Sequence, residues 1–242
     1  MDLLAIFAIL VAYVVKGLCG FANTLIFSSI IGFSTNNIII TPVELIVGYP
    51  SNLLIAWKDR KSLSRKVYLT LSILVFLGSI PGAIFLKNSN PQILKILFTF
   101  AIIFIGIEMF FRERQKIKKT PNKIVLMIIG IFSGILSGLF GIGALLVAYV
   151  GRTTENQSQF RGNICLVFLM DSTFRIILYS FTGIFTVDIF KQAILLLPFM
   201  IIGLFIGILL SKKINESVIK KFVILLLILS GVSLLINNIN II

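Results

Sequence analysis

Lys16 lies in an apolar stretch with no acidic neighbour in sequence, directly before the phrase Gly17-Leu18-Cys19-Gly20-Phe21. An ammonium in hydrocarbon costs roughly 3 kcal/mol on insertion scales, so it faces the protein interior, water or an anion, or snorkels to the interface. If a helix breaks at these glycines, its free backbone N–H groups and dipole add partial positive charge beside the lysine. Lysine plus such donors describes an oxyanion site, with Gly17, Cys19 and Gly20 placed at the ligand. Asn23 and Thr24 follow the break and either extend the site or pack helices together.

Asp171 and Arg175 are spaced i, i+4 and share one face of a helix. Either they form an ion pair that holds a bundle, or Arg175 helps hold an anion while Asp171 balances its charge when the site is empty. The two readings are compatible, because a planar guanidinium fork suits planar oxyanions as well as carboxylates. Glu44 follows Pro42 at the opening of a second apolar run and is a candidate proton carrier by location. Glu108 is four residues from Arg112 and reads as an interfacial, structural acid. In Gly48-Tyr49-Pro50-Ser51-Asn52 the proline should kink the helix and free a carbonyl, leaving Tyr49, Ser51 and Asn52 to line a cavity.

The elements that must position these groups are apolar runs at about 2–33, 38–57, 67–86, 92–111, 124–150, 162–187, 189–210 and 222–242. Most fit one membrane-spanning helix of ~20 residues. The first and fifth differ, each interrupted by a glycine phrase: the one after Lys16, and Gly138-Leu139-Phe140-Gly141-Ile142-Gly143. The pieces are too short to span comfortably alone. Broken helices at matching places in two halves point to a transporter binding site, which adds Gly138, Gly141 and Gly143 to the candidates.

The duplication runs further. At an offset of 121, Gly17, Leu18, Gly20 and Leu25 meet Gly138, Leu139, Gly141 and Leu146; at 125, Gly78, Gly82, Lys87, Asn90, Lys95 and Gly106 meet Gly203, Gly207, Lys212, Asn215, Lys220 and Gly231. The expected organisation is a first membrane repeat over 1–111, a basic cytoplasmic linker over 112–123 and a second repeat over 124–242.

Loop charge decides how the halves are oriented. If the first and fifth runs enter and turn back as hairpins, 17 Lys and Arg collect on one side, against Lys87, Lys95 and Lys191 on the other. If every run crosses once, the split is only 12 to 8. The positive-inside rule selects the hairpins. The predicted fold class is therefore an all-α integral membrane protein of two inverted four-segment repeats, each a broken or re-entrant hairpin plus three spanning helices, with both termini outside.

Composition agrees. The 242 residues are 58% hydrophobic and 13% charged, with a mean hydropathy of +1.08. The net charge of +13 falls mostly in short loops, which is membrane orientation rather than nucleic-acid binding. Hydrophobicity resumes after Lys16, so no cleaved signal peptide is expected. With no histidine there is no Ser-His dyad, no His-containing zinc motif and no histidine proton shuttle, and no metal or other cofactor is expected. Cys19 and Cys165 form no CxxC pair and read as buried small hydrophobes.

Together these motifs resemble the sulfite exporter TauE/SafE family, within the wider superfamily of toluene-sulfonate uptake permeases. The residues that carry the resemblance are Lys16 to Leu25, Pro42 to Asn52, Gly78 to Gly82 and Ser133 to Gly143. The chain departs from the usual pattern at Ala144, which cuts the second glycine run short, and at Arg161-Gly162-Asn163-Ile164-Cys165. The resemblance implies a secondary carrier in the cell membrane for small sulfur oxyanions such as sulfite, sulfoacetate or other organosulfonates. The expected partners are the anionic substrate and the lipid bilayer, with a homodimer among the assemblies considered. Rival readings are an anion channel, a carrier for another small organic anion such as a carboxylate, a membrane scaffold and an intramembrane enzyme, the last opposed by the absence of histidine.

Overall fold

The structure is a computed structural model that describes residues 3–114, 123–143, 146–147, 150, 157–211, 213 and isolated positions between 218 and 236. The described residues contain no strand. The helices are α1 (Leu3–Cys19), α2 (Asn23–Ile31), α3 (Asn37–Lys58), α4 (Arg65–Asn88), α5 (Pro91–Arg114), α6 (Lys123–Phe140), α7 (Gln157–Thr182) and α8 (Val187–Leu210), with a single 3-10 turn at Arg60–Ser62. Five of them, α3, α4, α5, α7 and α8, are long and apolar enough to cross a membrane. Most of the expected linker and most of the last apolar run lie outside the described residues, as do Lys212, Asn215, Lys220 and Gly231 of the internal match.

The first run breaks where glycine permits it. α1 stops at Gly20, whose φ of 86° is left-handed and whose N–H bonds the Lys16 carbonyl at 2.7 Å. Ala22, also left-handed, then starts α2. α2 runs back along α1: Ala5 near the start of α1 lines the same cavity as Phe27 and Ile31 of α2 and Ser34, Thr35 and Asn36 beyond it. The sixth helix ends the same way, with Gly141 at φ 72° and its N–H on the Ser137 carbonyl at 2.8 Å. The two caps are 121 residues apart, the offset of the repeated phrase, so Lys16 and Ser137 hold equivalent places.

Small residues let the broken helices pack backbone to backbone. The two most extensive crossings are α1 with α8 and α4 with α6. A Cβ on Gly17 would come within 2.8 Å of the Gly207 Cα, and one on Gly138 within 2.9 Å of the Ala83 nitrogen. Each glycine phrase thus packs against the Gly-rich helix of the other half of the chain, α1 on the Gly203 to Gly207 stretch and α6 on Gly78 to Gly82.

The ends of the helices sort the basic loops. Beyond α3, Asp59 meets Arg161 at 3.5 Å and accepts from Ser158 Oγ at 2.8 Å, while the Ser64 N–H donates to Asn163 Oδ1 at 3.0 Å. The basic stretch Lys58 to Lys66 and the start of α7 therefore share one end of the bundle. Asp188 and Lys191 share the cavity of Ser34 to Asn36. Large apolar side chains such as Leu54, Trp57, Ile73, Phe104, Ile194 and Phe205 face outward, as a lipid-facing surface requires.

Glu44 departs from expectation. It does not open its helix: α3 begins at Asn37, which places Glu44 two turns inside, 4% exposed. Asn37 to Thr41 add more than a turn of helix before Pro42, which is held inside α3 as Pro50 is.

Candidate functional site

The two breaks meet. One cavity of about 40 Å³ is lined by Phe21 to Leu25 from the first and by Ser137 and Gly141 to Gly143 from the second. Lys16, Glu44, Gly48, Asn52, Phe168, Ser172 and Arg175 complete the polar part of its wall and its aromatic side. By the space one water needs, this holds roughly three waters, the scale of a small oxyanion.

Lys16 is buried, 1% exposed, and so does not snorkel. Its Nζ donates to Asn52 Oδ1 at 2.7 Å and lies 5.6 Å from the centre of the Tyr13 ring. These partners come from a neighbouring helix and from the preceding turn, which is how a cation without a nearby acid in sequence is accommodated. Tyr13 Oη donates to Glu44 Oε1 at 3.1 Å, and Asn23 Nδ2 donates to the same oxygen. One carboxylate oxygen therefore ties α1, α2 and α3 together at the first break.

Arg175 and Asp171 pair as their spacing implies, Nε to Oδ2 at 2.9 Å, with both residues buried. Asp171 also accepts from Ser79 Oγ at 2.5 Å and from Ser137 Oγ at 2.6 Å, so its charge is well satisfied. Arg175 is not. Its Nη1 is buried without a hydrogen-bond partner among the described residues, and Arg175 lines the cavity. A Cβ placed on Gly141 would be 3.6 Å from Arg175 Nη1 and 3.8 Å from Glu44 Oε2, which locates both groups at the second tip. Tyr179 Oη steadies that tip by donating to the Gly138 carbonyl at 2.7 Å.

The N-terminus of α2 also faces this space through Asn23, Thr24 and Leu25, with no side chain capping it. Its N–H groups and dipole favour negative charge there. Beyond the second tip the Leu146 N–H bonds the Gly143 carbonyl at 3.0 Å, starting another helical turn at the cavity.

Of the residues singled out from sequence, Lys16, Asn23, Thr24, Glu44, Asn52, Gly141, Gly143 and Arg175 line the cavity. The others stand behind it. Gly17 and Gly138 lie in helix crossings, and Gly20 faces the Arg161 side chain. Cys19 donates to the Val15 carbonyl at 3.1 Å, and Ser51 to that of Gly48 at 2.6 Å. Tyr49 turns to Thr173, 3.1 Å away, and Asp171 acts through Arg175. Sequence reasoning passed over Tyr13, Ser137, Phe168 and Ser172. Ser137 was reachable, since the 121-residue offset pairs it with Lys16.

Long apolar helices around a buried, charged cavity define a multi-pass membrane protein with an internal polar site. Residues 5–234 match the sulfite exporter TauE/SafE family, essentially the whole chain, and the protein belongs to that family. Membership implies membrane transport of sulfur anions such as sulfite, in a family of transporters rather than enzymes. No curated protein and no solved structure matches the chain.

Proposed function

We propose that the protein is a secondary carrier that moves a small sulfur oxyanion across the cell membrane by alternating access, holding it between the two helix breaks. The observation that carries this reading is the Nη1 of Arg175, which is buried without a hydrogen-bond partner among the described residues, on a residue lining the cavity that Lys16 and the α2 N-terminus also face. A buried donor left unmade costs about 1–3 kcal/mol, more for a charged group, and an oxyanion bound there satisfies it. Lys16 supplies fixed charge, Asn52 holds Lys16 in place, and the hydroxyls of Thr24 and Ser172 with the backbone N–H groups at the start of α2 offer further hydrogen bonds. The volume suits sulfite or a short organosulfonate.

The inverted-repeat organisation, with repeats over 1–111 and 124–242 joined by the basic 112–123 linker, is part of the same reading. It is supported by the hairpin of α1 and α2, by the equivalent caps at Gly20 and Gly141, and by the exchanged crossings of α1 with α8 and α6 with α4. The contact of Asp59 with Arg161 also favours a re-entrant fifth run, because Lys58 to Lys66 and Arg161 fall on one side only if that run turns back. A second, wider cavity at the opposite end is lined by Ile40 and Val43 of α3, Phe27 and Ile31 of α2, and Asp188 and Lys191 of α8, and in this reading the anion enters from that side. No GxxxxGKS or GxxxxGKT phosphate loop is present, so in this reading transport draws on an ion gradient or the membrane potential unless another chain supplies ATP hydrolysis.

Counterflow tests the reading. Proteoliposomes loaded with unlabelled sulfite should take up labelled sulfite transiently and saturably, with sulfate, taurine and sulfoacetate ranked as competitors. Uptake that is linear in concentration, without trans-acceleration, would make the protein a channel.

A further inference from the structure

Glu44 stands inside the anion cavity with a charge of the wrong sign, and the geometry around it shows how that is resolved. Within reach of the cavity are two cations, Lys16 on α1 and Arg175 on α7, and two acids, Glu44 on α3 and Asp171 on α7. With all four ionised the cluster is neutral. Tyr13 on α1, Tyr179 on α7 and the buried thiols Cys19 and Cys165 are the other titratable groups packed around it. Asp171 is already engaged by Arg175, Ser79 and Ser137, so the carboxyl group that faces the cavity is that of Glu44. An anion that binds Arg175 Nη1 then meets the second carboxylate at close range, since Glu44 Oε2 approaches the same point beside Gly141.

We infer that Glu44 is the coupling site of the carrier: it takes up one proton on Oε2 as the anion binds and releases it as the anion leaves. The choice of oxygen follows from the donors. Oε1 accepts from both Tyr13 Oη and Asn23 Nδ2, so a proton there would oppose two donors, whereas Oε2 reaches the cavity. Thr24 lines the same cavity, and its hydroxyl can donate to the charged form of a neighbouring carboxyl or accept from the neutral one. Protonated at Oε2, Glu44 changes from a repelling charge into a hydrogen-bond donor aimed at the substrate. The loaded site, monoanion plus proton, carries the same charge as the empty one, so both forms can pass through the same bundle without a change in buried charge. The same carboxyl spans α1, α2 and α3, so its protonation state is felt directly at the first break.

This inference rests on the carrier reading and is tested separately from it. Methanesulfonate is the probe, because its own charge does not change near neutral pH. In proteoliposomes, a one-unit pH gradient, acid outside, should drive wild-type protein to accumulate labelled methanesulfonate about tenfold, independent of an imposed membrane potential, with one proton entering per anion as read by an internal pH dye. Glu44→Gln, which loses the titration, should carry no proton in with the anion, whatever rate of exchange it retains, and should no longer accumulate methanesulfonate on the gradient. Equal accumulation by Glu44→Gln, or wild-type exchange without accumulation or proton movement, would overturn the proposal. Loss of sulfite counterflow in the wild type would overturn the carrier reading beneath it.

Discussion

At the scale of single residues the site is a set of buried charges, each with a different degree of satisfaction. Asp171 accepts from three donors, while Arg175 has one nitrogen engaged and another bare in the cavity. Removing the guanidinium strands the carboxylate, and breaking a buried pair from one side costs about 3–5 kcal/mol. Arg175→Ala is therefore expected to lower thermal stability in detergent more than the double change with Asp171→Ala, with a coupling of about 1–3 kcal/mol across the cycle. Additive losses would show that the pair contributes nothing as a pair. Even where the double change restores folding, sulfite binding should stay weak, since the bare Nη1 is gone.

Much of this residue pattern was legible before the fold was known, for a physical reason: a charge or a glycine in an apolar run is conspicuous because hydrocarbon tolerates neither a bare ion nor an unpaired backbone. Lys16, Glu44, Arg175 and the tips could be marked that way. Tyr13, Ser137 and Ser172 could not be marked so, since an isolated hydroxyl in a helix is cheap and common. Tyr49 and Ser51 were expected to share a wall with Asn52. Ser51 and Asn52 are successive and point about 100° apart, so Asn52 reaches Lys16 while Ser51 turns back to the Gly48 carbonyl, and the long Tyr49 side chain reaches Thr173 instead of the cavity.

At the scale of elements, the broken helices are held by glycine crossings, and their tolerance to a methyl group measures how closely the backbones approach. A Cβ on Gly207 would come within 2.9 Å of the Gly17 Cα and press on the Val14 backbone, and one on Gly82 would meet the Ile135 carbonyl at 2.5 Å. Backbone cannot move aside as a side chain can. Gly207→Ala and Gly82→Ala should each cost about 1–3 kcal/mol of stability by overpacking. Gly183 makes the useful comparison: it is left-handed at φ 69° but has open space around it, so Gly183→Ala should cost only the backbone term of about 1–2 kcal/mol and leave transport intact. Transport that survives Gly207→Ala with full stability would show that α1 and α8 are not locked together. The crossings themselves were foreshadowed by the 125-residue match of Gly78 and Gly82 with Gly203 and Gly207. Which glycine row faces which was not, because periodicity along one helix does not identify its partner.

At the scale of the whole molecule the account depends on two halves of opposite orientation bringing their breaks to one place. Loop charge predicts the linker inside and the C-terminus outside, so cysteine labels at Asn122 and Asn238 should react from opposite faces of the membrane. Reaction of both from one face would remove the inverted arrangement. Convergence at a single cavity is the central claim, and Lys16 is the residue through which it is tested most directly: a fully buried cation at the first break, facing the same space as Arg175 at the second. The measurement is the affinity of purified protein for labelled sulfite in detergent, at matched pH and salt, for wild type, Lys16→Arg and Lys16→Met. Loss of one charge-assisted hydrogen bond of about 1.5–3 kcal/mol should weaken binding by Lys16→Met roughly 10- to 150-fold, with Lys16→Arg retaining part of the affinity and both variants folded. Unchanged affinity in a folded Lys16→Met protein would contradict the account and place the anion elsewhere.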